Sequence, residues 1–391
     1  MPKGYLVGLG VTAACTVLAL FPPHRPQLLV RLGSVVTPAV NELPQFFGLV
    51  LLAATVLAVV DGDPVAGVDL VWLSVTASTL AGLVVIAARG VSARAAVAQG
   101  LSGAGMDDTT DASGAQVPSG AAPGLWRWAL RVLVSPVPLR PRRVERLGDI
   151  PYGTARRQSL DVYRRRDRPQ GGPVLLYLHG GGYFSGSKRR EARALLHHFA
   201  VRGWVCVSAT YRLRPAAGFT EHLEDAEAAL SWTRRHAGTY GADASMLVMA
   251  GSSAGGHLTA LVALRSAAAT VQAGRPPEVT AAVGLYGYYG RYHGRTAQEL
   301  SPTTPMALDA RNAPPFFLVH GDHDVQVPID GARAFAVKLR AESTAPVVLA
   351  ELPGGQHAFD LWRSWRLSAV LDGLDRFLAD QHVLGSRAGR R

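Results

Sequence analysis

Three apolar runs open the chain, and a different rhythm replaces them further on. Gly4 to Phe21 and Leu43 to Val60 carry no charge, and Val65 to Ala88 carries only Asp69. A helix needs about 20 residues to cross the hydrocarbon core of a bilayer, so each run is of spanning length or close to it. Pro22, Pro23 and Pro26 close the first run, and Asp61-Gly62-Asp63-Pro64 makes a tight turn between the second and third. The pattern predicts a bundle of about three transmembrane helices over residues 1–97. A cleaved signal peptide fits less well, because Lys3 is the only basic residue ahead of the first run and no small-residue cleavage site precedes Phe21-Pro22-Pro23.

Residues 98–124 are rich in Gly, Ala, Ser, Asp and Pro without any period, which predicts a flexible linker. In the next segment, 125–150, Trp126, Trp128 and several leucines alternate with Arg127 and Arg131, four apart on one helix face. That pattern predicts an amphipathic interfacial or cap segment. From 151 to 391 short apolar runs alternate with longer helical ones. The predicted strands are Leu160–Tyr163, Val174–His179, Val205–Tyr211, Leu247–Ala250, Ala281–Tyr286, Phe316–His320 and Val347–Leu352. The helices between and after them are Arg189–Val201, His222–His236, Ala254–Ala268, Ile329–Arg340 and Leu361–Gln381. Such alternation implies an α/β domain with a mostly parallel sheet flanked by helices.

The net charge of +11 raises a nucleic-acid reading, which the distribution of charge argues against. The basic residues are nearly all Arg and fall in short runs: Arg140, Arg142, Arg143 and Arg146, then Arg156 and Arg157, then Arg164 to Arg166. No aromatic-studded groove accompanies them, and several runs lie just after the apolar region, where an anionic membrane surface attracts them. Cys15 lies in an apolar stretch and Cys206 in a predicted buried strand, so neither a disulfide nor Cys-x-x-Cys chemistry is expected.

Gly251-Ser252-Ser253-Ala254-Gly255 stands between the strand Met246 to Ala250 and a helical run starting at Ala254. A nucleophile elbow needs that context: a sharp turn exposes the serine hydroxyl, and small flanking residues let the backbones cross. Ser253 is the nucleophile candidate; Ser252 is flanked by Gly251 and Ser253 and is in the wrong register. Upstream, His179-Gly180-Gly181-Gly182-Tyr183 follows a strand and frees backbone amides to receive an oxyanion. Gly181 and Gly182, with the amide of Ala254, are the oxyanion-hole candidates. Past Ser253, His357 on a Gly-rich turn is the base candidate and Asp324 the acid that orients it, with Asp322 as its competitor. His197 and His198 read as surface or cap residues, and His222, His236, His293 and His382 have no partner pattern. His320 and His323 match no zinc spacing, so no metal and no cofactor is expected. Tyr286, Tyr288, Tyr289 and Tyr292 wall a pocket or pack the core.

Together these residues resemble the hormone-sensitive-lipase-like branch of the α/β-hydrolases, with carboxylesterases and acetyl-xylan or feruloyl esterases as near relatives. The likeness covers Tyr152 to Leu384. It rests on His179–Tyr183, Tyr211-Arg212-Leu213, Leu223-Glu224-Asp225-Ala226, Gly251–Gly256, His320–Pro328 and His357-Ala358-Phe359-Asp360. Glu224 and Asp225 read as structural. The front end resembles actinobacterial lipase or esterase proteins that carry membrane helices before the same domain. Two departures stand out: Tyr-Arg-Leu continues as Arg214-Pro215-Ala216 rather than Ala-Pro-Glu, and the acid motif has the His-Gly-x-x-Asp-x-x-Val-Pro form of esterase and peptidase relatives. The resemblance implies a serine carboxylic-ester hydrolase acting through Ser253, Asp324 and His357 on a small-molecule or lipid ester. A serine peptidase of the same fold and an idle membrane scaffold are the alternatives. The chain is expected to be multi-pass in the cell membrane. Arg25 and Arg31, then Arg89 and Arg94, against Asp61 and Asp63, place the catalytic domain on the cytoplasmic side.

Overall fold

The computed structural model describes residues 3–23, 25–60, 68–106, 132, 136–292 and 303–388. Among them an eight-stranded sheet is built from β1 Val144–Pro151, β2 Ser159–Arg165, β3 Gly172–Leu178, β4 Val205–Ala209, β5 Ala242–Ser252, β6 Ala281–Leu285, β7 Phe316–Gly321 and β8 Val347–Leu352, in the order β1-β2-β4-β3-β5-β6-β7-β8. The first two pairings, β1–β2 and β2–β4, are antiparallel, and all the others are parallel. Continuous apolar runs form the inner strands because both faces are covered: every residue of β4, β6 and β7 is buried.

The seven expected strands are all present, with ends shifted by a few residues. The eighth, β1, lies within the segment expected to be amphipathic. Val144-Glu145-Arg146-Leu147-Gly148-Asp149-Ile150-Pro151 sets three charges among its apolar residues and fully buries only Val144, since an edge strand buries little, and only its pairing with β2 identifies it. The Trp126–Trp128 stretch, the Asp61–Pro64 turn and His293 lie outside the described residues.

Two helical layers cover the sheet. α6 Phe219–His236, α7 Ala254–Gln272 and α8 Asp330–Glu342 share one apolar core with one face of the sheet. On the other face lie α5 Arg193–Val201, α9 Trp365–Ala388 and the C-terminal half of α4 Val68–Ser102. That placement differs from the expected boundary at residue 97: α4 is a single helix of 35 residues that runs five residues beyond it. Ala93, Val97 and Leu101 are buried against β8 and α9. Glycines serve close packing here, Gly100 of the expected linker among them. A Cβ on Gly100 would stand 2.6 Å from the Leu349 carbonyl oxygen, and one on Gly373 would overlap Val97.

Ahead of α4 lie α1 Lys3–Leu20, α2 Gln27–Glu42 and α3 Pro44–Val60. α1 and α4 are each long and apolar enough to cross a membrane, and α2 with α3 makes a third crossing if that pair is one broken span. The pair bends by 88° at Leu43, where Pro44 cannot donate to the preceding turn and starts a new helix instead. The outer faces carry exposed Val7, Val11, Val17, Leu49, Val50, Val56, Leu70, Val71 and Val84. Inside the bundle the Tyr5 hydroxyl lies 2.6 Å from Thr76 Oγ1 and 3.1 Å from Thr55 Oγ1, joining three helices by polar side chains.

Candidate active site

Ser253 sits between β5 and α7 with φ +51° and ψ −117°, a strained conformation for a residue with a side chain. The surrounding contacts maintain the strain. A Cβ on Gly251 would overlap the Gly255 carbonyl, and one on Gly255 would overlap the Leu178 carbonyl at the end of β3. Both positions of the Gly-x-Ser-x-Gly pattern are therefore fixed by backbone crossings, as the motif implies.

His357 and Asp324 arrive from loops after the neighbouring parallel strands. β7 ends at Gly321 and leads to Asp324; β8 ends at Leu352 and leads to His357. His357 Nε2 lies 3.1 Å from Ser253 Oγ, and its Nδ1 lies 2.6 Å from Asp324 Oδ2. The other Asp324 oxygen accepts from the backbone amides of Gln326 and Val327, both at 2.9 Å. Burial by itself would raise the Asp324 pKa; facing His357 and His320 outweighs it and holds the carboxyl well below the usual range. Asp322 turns elsewhere, accepting from the Gly354 amide at 2.6 Å. Of the two acids, then, Asp324 is the one beside the histidine.

Gly181 and Gly182 have φ +106° and +60°, in the turn between β3 and α5. A side chain on Gly181 would collide with the Ser185 carbonyl. The Ala254 amide is the first of α7, among the amides that a helix leaves without an internal partner.

A buried polar network, which no motif announces, lies behind the elbow. Glu191 Oε2 accepts from the Gly180 amide at 2.6 Å and from Ser252 Oγ at 2.9 Å, tying the glycine turn to the elbow. Ser252 Oγ also lies 2.6 Å from the Tyr177 hydroxyl. Asp360 accepts from the Ala192 amide at 2.8 Å and from the Tyr286 hydroxyl. Full burial, reinforced by Glu191, pushes the Asp360 pKa up to about 6. In the sequence Glu191 stands among Lys188, Arg189, Arg190 and Arg193, and only the fold turns it inward.

The remaining candidates settle as packing or support. Asp225 is buried and accepts from the Arg212 amide at 2.7 Å and its guanidinium at 2.8 Å, a structural clamp. Tyr289 stacks on Phe335, and Tyr292 meets Tyr183 and His222. His197, expected at the surface, is buried edge-on against Tyr163 because its helix face turns toward the sheet. His198 is held by Asp375 at 2.9 Å.

The front helices reach this site. On α2, Thr37 Oγ1 donates to Gln356 Oε1 at 2.6 Å and Asn41 Nδ2 to the Gly354 carbonyl at 3.0 Å. Arg366, fully buried, donates to Glu42 Oε1 at 3.1 Å, to the Asn41 carbonyl at 2.9 Å and to the Pro353 carbonyl at 3.0 Å. The loop that carries His357 is thereby fastened to α2. A crevice between them is lined by Leu18, Pro22, Val30, Pro38, Val325 and His357.

Comparison with known proteins places this arrangement. A family model described as BD-FAE matches residues 160–290. The chain is 36% identical to a probable carboxylic ester hydrolase, LipM, of Mycobacterium tuberculosis, over 99% of this chain and 96% of that protein. It is 34% identical to Esterase LipC of the same organism, over 62% of this chain and 67% of that one. The structure of esterase B from Lactobacillus rhamnosis covers 69% of this chain and 96% of its own, with a TM-score of 0.54 at 21% identity, a likeness of fold.

Proposed function

The chain belongs to the carboxylic ester hydrolases of the α/β-hydrolase fold, in their hormone-sensitive-lipase-like branch, and from that premise we propose a membrane-anchored serine esterase. The observation that carries the reading is the unbroken line from Ser253 Oγ to His357 Nε2, 3.1 Å, and from His357 Nδ1 to Asp324, 2.6 Å.

In the proposed reaction His357 takes the Ser253 proton as Oγ attacks the ester carbonyl carbon. The carbonyl electron pair moves onto oxygen, and the amides of Gly181, Gly182 and Ala254 stabilise it; each such donor is worth about 3–4 kcal/mol. Collapse breaks the bond to the alcohol oxygen, which takes the proton back from His357 and leaves. Water, deprotonated by His357, then attacks the acyl-serine ester; the acyl–Oγ bond breaks, Ser253 Oγ takes the proton back from His357, and the carboxylic acid leaves. Asp324 stays ionised throughout and stabilises the imidazolium, and its lowered pKa suits that part.

Anchorage belongs to the same proposal. α1, the α2–α3 pair and the first part of α4 cross the bilayer, so that α1 ends, and α4 emerges, on the side of the catalytic domain. Arg25 in the first loop, Arg31 in the first turns of α2, and Arg89 and Arg94 on α4 favour the cytoplasm for that side. Protease added to intact spheroplasts then leaves the catalytic domain whole; digestion without lysis overturns the orientation.

The activity is tested with full-length protein in detergent on p-nitrophenyl esters. Ser253→Ala lowers kcat at least about a thousandfold with an unchanged thermal unfolding profile, as loss of a triad nucleophile does. Undiminished turnover in that variant would sink the mechanism.

A further inference from the structure

We propose that Glu191 is a positioning residue for ester hydrolysis: it sets the glycine turn Gly180–Gly182 against Ser253, and Asp360 holds Glu191 in place from the loop that carries His357. The proposal rests on the serine-esterase reading and adds to it the residues that keep the oxyanion donors in register with nucleophile and base.

The glycine turn cannot place itself. Gly181 and Gly182 take positive φ angles, which glycine enters freely and leaves as freely. The aim of their amides therefore depends on what fixes the turn. Gly180 begins it, and a Cβ there would stand 3.0 Å from Ser253 Cβ, so the turn starts directly against the nucleophile. Glu191, buried, offers Oε2 to the Gly180 amide at 2.6 Å and to Ser252 Oγ at 2.9 Å. One carboxylate oxygen thus joins the residue before the oxyanion donors to the residue before the nucleophile.

Glu191 is itself held from the side of the base. Ala192, the next residue, has φ +51°, and its amide donates to Asp360 Oδ2 at 2.8 Å. Asp360 follows His357 in the same loop and is fully buried. It also accepts from the Tyr286 hydroxyl, and the Tyr286 ring stands edge-on to His357 with centroids 4.6 Å apart. The elbow closes the circuit, because the Ser253 amide donates at 3.0 Å to the carbonyl of Leu285, the residue before Tyr286. A shift of Glu191 moves the oxyanion donors relative to nucleophile and base together, and a misplacement of about 1 Å costs on the order of a hundredfold in rate.

The test uses the full-length enzyme in detergent. Active sites are counted with a p-nitrophenyl alkylphosphonate: Ser253 Oγ loses its proton to His357, bonds to phosphorus and displaces p-nitrophenolate. Per titrated site, Glu191→Ala should lower kcat on p-nitrophenyl butyrate on the order of a hundredfold with KM changed less than about threefold, as loss of an oxyanion donor does. The same variant should weaken a trifluoromethyl ketone, whose adduct with Ser253 carries the oxyanion, by a similar factor. Glu191→Gln keeps an oxygen that accepts from Gly180 and should bring both quantities back to within about fivefold of wild type. Glu191→Asp keeps the charge but withdraws the oxygen, and should stay at least about tenfold below wild type even if the alanine variant does not fold. Asp360→Asn should weaken the ketone about tenfold alone, yet add less than about threefold in the Glu191→Ala background, since the two act through one turn. Wild-type kcat and ketone affinity per site in the alanine and aspartate variants refute the proposal, as does a loss confined to KM or to the number of titratable sites. Losses that multiply in the double variant overturn the part given to Asp360. A wild-type protein that is neither active nor phosphonylated removes the esterase reading itself, which no outcome in the variants does.

Discussion

His357 is held from two sides that are put together differently. Toward Ser253 the contacts are backbone against backbone: β3, β5 and α7 cross so closely that Gly251 and Gly255 admit no side chain. Toward α2 they are polar side chains reaching across some 300 residues of sequence, from Thr37, Asn41 and Glu42 to Gln356, Gly354 and Arg366. The first side is a local device, written as a motif of five residues. The second is a long-range one with no motif, and it ties the front helices to the histidine loop. An elbow fails through steric displacement, whereas a polar clamp fails when a buried partner is orphaned.

The difference can be tested from both sides. Glu42→Ala leaves the Arg366 guanidinium buried without its charge partner, which costs about 3–5 kcal/mol. Thermal unfolding in detergent should show the largest loss of any substitution in the front helices, and a Tm within a degree of wild type would mean that α2 does not clamp the loop. On the other side, Gly255→Ala pushes the elbow away from the Leu178 carbonyl. A displacement of about 1 Å costs on the order of a hundredfold in kcat, read on p-nitrophenyl butyrate. Between the two regions, Gly100→Val drives α4 off β8 and should destabilise by about 1–3 kcal/mol. An unaffected protein would show α4 to be a loose tether.

The smallest effect expected is on pH dependence. Burial first, then Arg193, Arg363 and Arg140, pushes the His197 pKa down to about 4. The unfolded chain binds a proton there near pH 6.5 while the folded one resists until about 4, so stability is lost as pH falls through that window. His197→Phe should flatten this part of the Tm-against-pH curve. His222, lowered to about 4 by burial, keeps some slope in the variant.

The class of the fold, the sharp turn at Ser253, the glycine turn and the chain order Ser253, Asp324, His357 are legible in the sequence. Each depends on residues adjacent in the chain: a strand period, a turn that only glycine permits, or a helix start directly after the nucleophile. It also marked the apolar runs, because bilayer thickness sets a length that composition reveals. The tertiary fold sets Asp324 beside His357 and turns its competitor Asp322 to the Gly354 amide, two directions taken from one loop. It turned Glu191 out of a run of basic residues to bind Gly180 and Ser252. It made Gly100 a packing contact rather than part of a linker, and it folded β1 onto the sheet edge. It also brought Thr37, Asn41 and Glu42 to the histidine loop. All of these depend on which distant backbone lies opposite a residue, and neither periodicity nor composition encodes that.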